Sequence, residues 1–261
     1  MNPPGHTEDR DPPAAAPARN IRLTVEYDGT DFSGWQRQPG FRTVQACLEQ
    51  AVRAMTGESV LVRGAGRTDA GVHAAGQVAN FRTSARIPGP GFLRGLNAHL
   101  PGDIAVIDLQ DAAPDFDARL SARGKTYVYR IWNHLTRSPL LARSTWHCRA
   151  PLDLGRMRDT AGLFVGEHDF RAFRAADCER RTTRRILRRV DLRAQGVVLT
   201  VEIEGTAFLK NMVRILAGTL VAVGRGALSP EQVAALLESG DRTQAGPTAP
   251  ARGLCLLRVH Y

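Results

Sequence analysis

The sequence has 261 residues, of which 43% are hydrophobic and 23% charged, a composition typical of a folded globular protein and not of a disordered chain. It contains no run of the roughly 18 apolar residues that a membrane span requires and no secretory signal segment, so we expect a cytoplasmic protein without a membrane partner. The formal net charge of +9 favours a polyanionic partner, and nucleic acid is the natural candidate.

The first elements are predicted from their local patterns. Residues 1–19 are rich in Pro, Ala and charged groups, which predicts a disordered leader. From residue 21 to residue 27 apolar and polar side chains alternate as in a half-buried strand, and the Asp28-Gly29 turn ends it. Apolar residues then recur at helical spacing from residue 44 to residue 55, between a Thr43 cap and Gly57.

The middle of the chain continues this alternation of strands and helices. A short strand is predicted at residues 60–62, then a glycine-rich loop at 64–76 and a strand at 77–81. A helix at 92–99 and strands at 104–109 and 125–132 follow.

The remaining elements repeat the same mixture. They are a helix at 154–164, strands at 184–193 and 197–204 joined through Gln195-Gly196, a buried helix at 208–223, a helix starting at Ser229-Pro230 with Gln232 completing a capping box, and a strand at 254–259. Mixed strands and helices in each half predict an α+β fold, divided into residues 20–120 and 121–261.

The glycine-rich loop concentrates the residues that could perform chemistry. Asp69 and His73 lie among glycines that permit unusual backbone angles, which favours a site, although a turn aspartate can also simply bond nearby amides. We interpret His73 as loop packing. The loop has neither the spacing of a P-loop nor that of a dinucleotide-binding loop, and no H-x-E with P-C-x-x-C indicates a zinc deaminase. Four widely spaced cysteines predict no metal site, and we expect no cofactor.

Several segments, in the same order along the chain, resemble the TruA-type family of tRNA pseudouridine synthases. The longest is GRTDAGVHA at residues 66–74. The others are EYDG at 26–29, GWQRQ at 34–38, NAHLPGDIAV at 97–106, FDAR at 116–119, KTYVYR at 125–130, GEHDF at 166–170 and MVR at 212–214. The resemblance covers about residues 22–261.

This resemblance implies a fold, an activity and a partner. The fold is two similar α/β (ferredoxin-like) halves that share a continuous antiparallel sheet, with a basic cleft between them, in a homodimer. The activity is isomerisation of uridines of the tRNA anticodon stem-loop, at positions 38, 39 and 40, to pseudouridine. It requires breakage of the bond from ribose to uracil N1 and its formation at C5, which needs a nucleophile and not a redox cofactor.

The resemblance also implies roles for individual residues. Asp69 is the catalytic carboxylate, and the residues leave open whether it attacks the sugar C1′ or the uracil C6, or removes a proton to give a glycal. Arg214 is its charge partner and favours the anion. Tyr127 stacks on the target base, and Arg67 helps to hold the nucleotide out of the stem.

The densest basic stretch is residues 171–189, which contain eight arginines. Within it we expect contacts to the RNA backbone from Arg171, Arg174, Arg181 and Arg184. A solvated charged face is the alternative interpretation of such a run.

Two other classes of protein remain open on the residues alone. A non-catalytic RNA-binding protein could use the same scaffold and arginines with Asp69 as a turn residue. A carboxylate-based glycosidase normally requires two acids and no basic excess, which makes it the weaker alternative.

Overall fold

A computed structural model describes residues 18–261 of the chain. The strands are β1 (Arg19–Tyr27), β2 (Arg63–Gly64), β3 (His73–Thr83), β4 (Ile104–Ala112), β5 (Gly124–Asn133), β6 (Trp146–Cys148), β7 (Gly166–Asp169), β8 (Arg184–Gln195), β9 (Val198–Gly205) and β10 (Leu254–His260). The helices are α1 (Val44–Thr56), α2 (Gly89–His99), α3 (Leu154–Leu163), α4 (Met212–Gly224) and α5 (Pro230–Ser239). Four short 3-10 turns lie between them.

One sheet runs through the described chain and confirms the predicted α+β fold. Its main strands follow the order β4-β1-β3-β10-β5-β9-β8-β7, while β2 pairs with β3 and β6 pairs with β5. The predicted antiparallel arrangement holds except at two pairs, β10 with β3 and β5 with β6, which are parallel. The parallel exception matters because β10, the last strand, joins the early strands to the later ones.

The ends of α1 and α5 follow from their local sequences. The Thr43 hydroxyl accepts a bond from the third backbone amide of α1, and Gly57 ends that helix at a φ of 75°. The predicted capping box of α5 forms, with the Ser229 and Gln232 side chains each accepting a backbone N–H of the other residue.

The hydrophobic core lies between the helices and the sheet. On β1 the side chains of Ile21, Leu23 and Val25 are fully buried, while Arg22 and Thr24 between them are partly exposed. Helix α4 is buried on most faces, as predicted, because it packs against β5 and α3. Burial of such side chains stabilises the fold by about 1.5–3 kcal/mol each.

The structure corrects several predicted elements. Residues 60–62 form no strand, and Leu61 is 54% exposed; the pairing with β3 begins at Arg63. The buried helix starts at Met212 and not at residue 208. The short strands β6 and β7 were not predicted.

The structure bears only in part on the predicted leader at residues 1–19 and does not test the predicted division at residue 120. The predicted leader lies outside the described residues except for its last two, and Arg19 already belongs to β1. The division at residue 120 and the similarity of the two halves stay predictions. Among the described residues, no helix has the length and apolar character to cross a membrane.

Candidate active site

Asp69 lies in the loop that connects β2 to β3, and neighbouring residues fix that loop. The Trp35 amide donates to the Thr68 carbonyl oxygen at 3.0 Å, and the Tyr27 and Thr68 hydroxyls are 2.8 Å apart. Within the loop, the Val72 amide donates to the Asp69 carbonyl oxygen at 3.1 Å. These bonds hold both sides of Asp69, so its backbone is positioned before any substrate binds.

Two other residues shape the same loop. Gly34 has a φ of 88°, and a Cβ there would lie 2.6 Å from the Thr68 carbonyl oxygen, so only glycine lets the chain pass so close. Gln77, which is fully buried, donates from its amide nitrogen to the Gly66 carbonyl oxygen at 2.9 Å. Gly34 and Gln77, both outside or at the end of the loop, therefore pack closely against the backbone that carries Asp69.

Arg214 contacts Asp69 across 145 residues of sequence. Its Nη1 lies 3.3 Å from the Asp69 Oδ2, with the arginine side chain 18% exposed and the aspartate side chain 38% exposed. The guanidinium is held from two other directions, because Nε donates to the Ala249 carbonyl oxygen at 2.8 Å and Nη1 donates to the Asn211 Oδ1 at 3.0 Å. The pair faces solvent on the side of the carboxylate and protein on the side of the arginine.

Asn211 explains why Arg214 is aimed at the loop. It precedes α4 in a left-handed conformation, with a φ of 61°, and among the described residues it is the only non-glycine with a positive φ. Its carboxamide makes no capping bond to the helix backbone and accepts from Arg214 instead. Asparagine is among the few residues that adopt this backbone region readily.

Tyr127 lies on β5 beside this pair. Its ring is 9% exposed and meets Phe208 edge to face, with ring centroids 5.0 Å apart. Burial raises the pKa of Tyr127, and nearby Tyr27 and Asp69 add to the increase. The phenol therefore keeps its proton at physiological pH, where it can both donate and accept a hydrogen bond.

The remaining predicted site residues differ in whether their side chains are already held in ion pairs within the protein. Arg67 is exposed two residues before Asp69, and its side chain has no hydrogen bond or ion pair to any described residue. Arg171 pairs with Asp169 at 3.7 Å. Arg184 pairs with Glu167 at 3.0 Å.

The other two arginines predicted to contact RNA, Arg174 and Arg181, lie between the 3-10 turn at Arg171–Phe173 and β8. Arg174 donates to the Arg180 carbonyl oxygen at 3.4 Å, and Arg181 is exposed without an ion pair to a described residue. The Ala175 amide donates to the Lys210 carbonyl oxygen at 3.0 Å, which brings this segment close to the turn before α4. The ion pairs make Arg171 and Arg184 less free than Arg181 to meet a phosphate.

His73 has a structural environment, in line with its interpretation as loop packing. Its Nδ1 lies 3.1 Å from both the Gly29 amide nitrogen and the Asp28 Oδ1, and its Nε2 lies 2.8 Å from the Arg143 carbonyl oxygen. The ring thus ties the start of β3 to two other segments. Among residues 18–261, no group of three or more His, Cys, Asp or Glu side chains could hold a metal ion.

Sequence comparison decides the family. A family model described as tRNA pseudouridine synthase matches residues 23–120 and 160–261. The chain belongs to the tRNA pseudouridine synthase family. Members of this family are isomerases that convert uridine in tRNA to pseudouridine, which agrees with the resemblance found in the motifs.

Individual relatives extend this similarity over nearly the whole chain. A tRNA pseudouridine synthase A of Pelobacter propionicus is 50% identical over 243 residues, which are 93% of this chain and 100% of the relative. One of Geobacter sulfurreducens is 48% identical, again over 93% of this chain and 100% of the relative. An archaeal box H/ACA Nop10–Cbf5 complex aligns with 86% of this enzyme and 59% of that chain, at 12% identity and a TM-score of 0.36, which is too distant to bear on the site.

Sequence reasoning missed Asn211 and the support of the loop by Tyr27 and Gln77. An asparagine just before a helix is a signal for an N-cap residue, and it could have directed attention to position 211, although not to its left-handed backbone. No local signal points from Tyr27 or Gln77 to the loop, because both act through contacts made across the sheet.

Proposed function

We propose that this protein converts uridines 38, 39 and 40 of the tRNA anticodon stem-loop to pseudouridine, with Asp69 as the catalytic carboxylate. The observation that carries the proposal is the 3.3 Å contact between the Asp69 Oδ2 and the Arg214 Nη1, on a loop fixed from both sides. An aspartate that served only the turn would need no guanidinium held by Asn211 and Ala249.

The chemistry requires an ionised carboxylate beside the target nucleoside. The bond between C1′ and N1 breaks, uracil turns, and a bond between C1′ and C5 forms, while C5 loses a proton and N1 gains one, so atoms balance without a co-substrate. Asp69 could attack C1′ or C6, or remove a sugar proton, and each route starts from the anion that the Arg214 guanidinium favours. The isomerisation is redox-neutral overall, so it requires no oxidant or reductant.

Tyr127 and Arg67 are proposed to hold the target nucleotide. A base that undergoes this reaction must leave the stem, and its exposed face can stack on a flat ring. The Tyr127 ring is fixed by Phe208, which limits the entropy lost on stacking. Arg67, free of ion pairs with the described residues, can fill the space that the extruded nucleotide leaves.

Binding of tRNA is proposed to use the positive surface next to this site. The net charge of +9 supports phosphate contacts, and Arg181 and Arg174 are the freest members of the predicted set. Arg171 and Arg184 would have to exchange Asp169 and Glu167 for phosphate. We further propose that the protein is a cytoplasmic homodimer. Each chain would be divided into the halves 20–120 and 121–261.

Mapping of pseudouridine tests the proposal directly. The purified protein is incubated with a transcribed tRNA that has uridines at 38, 39 and 40, and pseudouridine is then located by chemical modification and primer extension. We expect modification at those positions with the unchanged chain and none with Asp69→Asn. The absence of pseudouridine with the unchanged chain, despite tRNA binding, would favour the non-catalytic RNA-binding alternative.

A further inference from the structure

Lys125 lies directly under the loop that carries Asp69. It is on β5, two residues before Tyr127, so both side chains project from the same face of the strand. A Cβ on Gly66 would lie 3.1 Å from the Lys125 Cε and 3.6 Å from its Nζ. The ammonium group is therefore packed against the loop backbone three residues before the catalytic carboxylate.

This ammonium has no counter-charge among residues 18–261. Its Nζ makes no hydrogen bond to a described residue and has no described carboxylate within 4.0 Å. The only other lysine of the chain, Lys210, is in contact with the Asp177 carboxylate. Lys125 is partly buried, and burial lowers its pKa. A partly buried cation without a partner costs free energy that a bound anion can offset.

Arg119 is a second cation without a counter-charge among the described residues. Arg119 is exposed, makes no ion pair with a described residue, and lies close enough to contribute to the lowered pKa of Lys125. The nearby Asp117 carboxylate is taken by Arg63, at 3.6 Å, and by the Arg119 and Leu120 backbone amides. Uncompensated cations favour an anion over an uncharged base or sugar.

We propose that Lys125 binds a backbone phosphate of the tRNA, at or next to the nucleotide that Asp69 acts on, and that the positive charge of Arg119 assists it. The Lys125 side chain lies against Gly66, three residues from Asp69, and on the same strand face as Tyr127, so an anion bound there would be close to the proposed position of the target nucleotide. Lysine suits this role because it offers a compact charge on a flexible stem, which Gly66 leaves room for. The inference rests on the proposed function.

Binding measurements in a chain that cannot turn over test the phosphate site. In the Asp69→Asn background, the Kd for the transcribed tRNA is measured over a series of KCl concentrations. Lys125→Met should raise Kd about five- to tenfold and reduce the slope of log Kd against log salt by about 0.7–0.9, the value for one phosphate. Lys125→Arg should keep most of the slope. Arg119→Met, at an exposed loop position, should reduce the slope in the same sense.

A matched control separates a site from a general loss of charge. Lys210→Met removes one lysine that Asp177 already neutralises, so we expect a much smaller change of slope. Thermal unfolding provides a second readout: Lys125→Met should keep or raise the Tm, because it removes an uncompensated charge next to Arg119.

Three results would overturn the phosphate site. They are unchanged Kd and slope in both Lys125→Met and Arg119→Met, an equal loss of slope in Lys210→Met, or a lowered Tm of Lys125→Met with an unchanged slope. The proposed function fails by a different observation, the absence of pseudouridine from tRNA treated with the unchanged chain. The binding series needs no turnover, so the two failures are distinguishable.

Discussion

Replacement of Arg214 by glutamine removes the guanidinium charge beside Asp69 while keeping a side chain that can still donate to the Ala249 carbonyl oxygen. The wild-type contact joins Nη1 and Oδ2 at 3.3 Å, and the same Nη1 is held by Asn211. The variant therefore tests the charge more than the packing. We expect a slower chemical step with a nearly intact fold.

The size of the effect follows from the geometry of the pair. Two opposite unit charges 3.3 Å apart attract by about 5 kcal/mol at an effective dielectric constant of about 20. Because the Asp69 side chain is 38% exposed, water screens much of this attraction, and a net contribution of about 1–3 kcal/mol is expected, between that of an exposed ion pair and that of a hydrogen bond to a charged group. Where the transition state keeps this contact, its loss corresponds to a decrease in rate of about 5- to 150-fold, since about 1.4 kcal/mol is a factor of ten.

Single-turnover pseudouridine formation at saturating tRNA measures this decrease without interference from product release. Arg214→Lys is the control, because it keeps a charge but cannot contact Asp69, Asn211 and Ala249 together; it should lie between the wild type and Arg214→Gln. Thermal unfolding measures how much stability the variant loses through a weaker hydrogen bond to the Ala249 carbonyl oxygen. A single-turnover rate of Arg214→Gln equal to that of the wild type would refute the proposed ion pair.

Four further predictions concern the same site. Asp69→Asn should abolish pseudouridine formation while the Kd for tRNA changes by less than about threefold, since the basic surface is untouched; measurable turnover would contradict its role. Tyr127→Leu should reduce the single-turnover rate much more than Tyr127→Phe, which keeps the stacking ring and its contact with Phe208; equal losses would argue against stacking. Asn211→Gly should lower the rate several-fold with little change in Tm, because glycine adopts the left-handed backbone but cannot hold Arg214, whereas Asn211→Ala should also lose about 1 kcal/mol of stability; wild-type rates in both would remove Asn211 from the site. Turnover should persist with a chelator and without added nucleotide, because the isomerisation balances without either, and a loss of activity reversed by added metal would contradict this.

The elements that the sequence predicted well are those whose ends are set by neighbouring residues. Helix α1 lies within one residue of its predicted bounds because Thr43 and Gly57 act locally at its ends. Strand β1 starts two residues earlier than predicted and ends where predicted, since alternation along one strand needs no information about its partners.

The errors occur where contacts between distant residues decide. Residues 60–62 have the composition of a strand, but β3 pairs with the two residues after them. Phe208 has the apolar character of the following helix, yet it packs on Tyr127, and the left-handed Asn211 delays the start of α4. Intrinsic preference is a weak guide at such positions because tertiary contacts override it.

The candidate site was predicted residue by residue only through family resemblance. Local pattern alone left Asp69 divided between a turn and a catalytic role, and nothing in the sequence around Arg214 points to residue 69. The structure brings the two together, and it separates Arg181 from the paired Arg171 and Arg184, a distinction that depends on acidic neighbours in β7.

The segment from Ala249 into β10 explains how distant residues form one site. Ala249 exchanges two hydrogen bonds with Arg214, one from the side chain and one to the backbone carbonyl oxygen. A few residues later, Cys255 and Leu256 pair in parallel with His73 and Ala74, which begin β3 shortly after Asp69. The same short stretch of chain thus fixes the arginine and the strand that follows the carboxylate. Because β10 also pairs with β5 on its other edge, any shift of β10 along β3 would move Arg214 relative to Asp69. The parallel junction therefore connects the segment that holds Arg214 to the strand that follows Asp69.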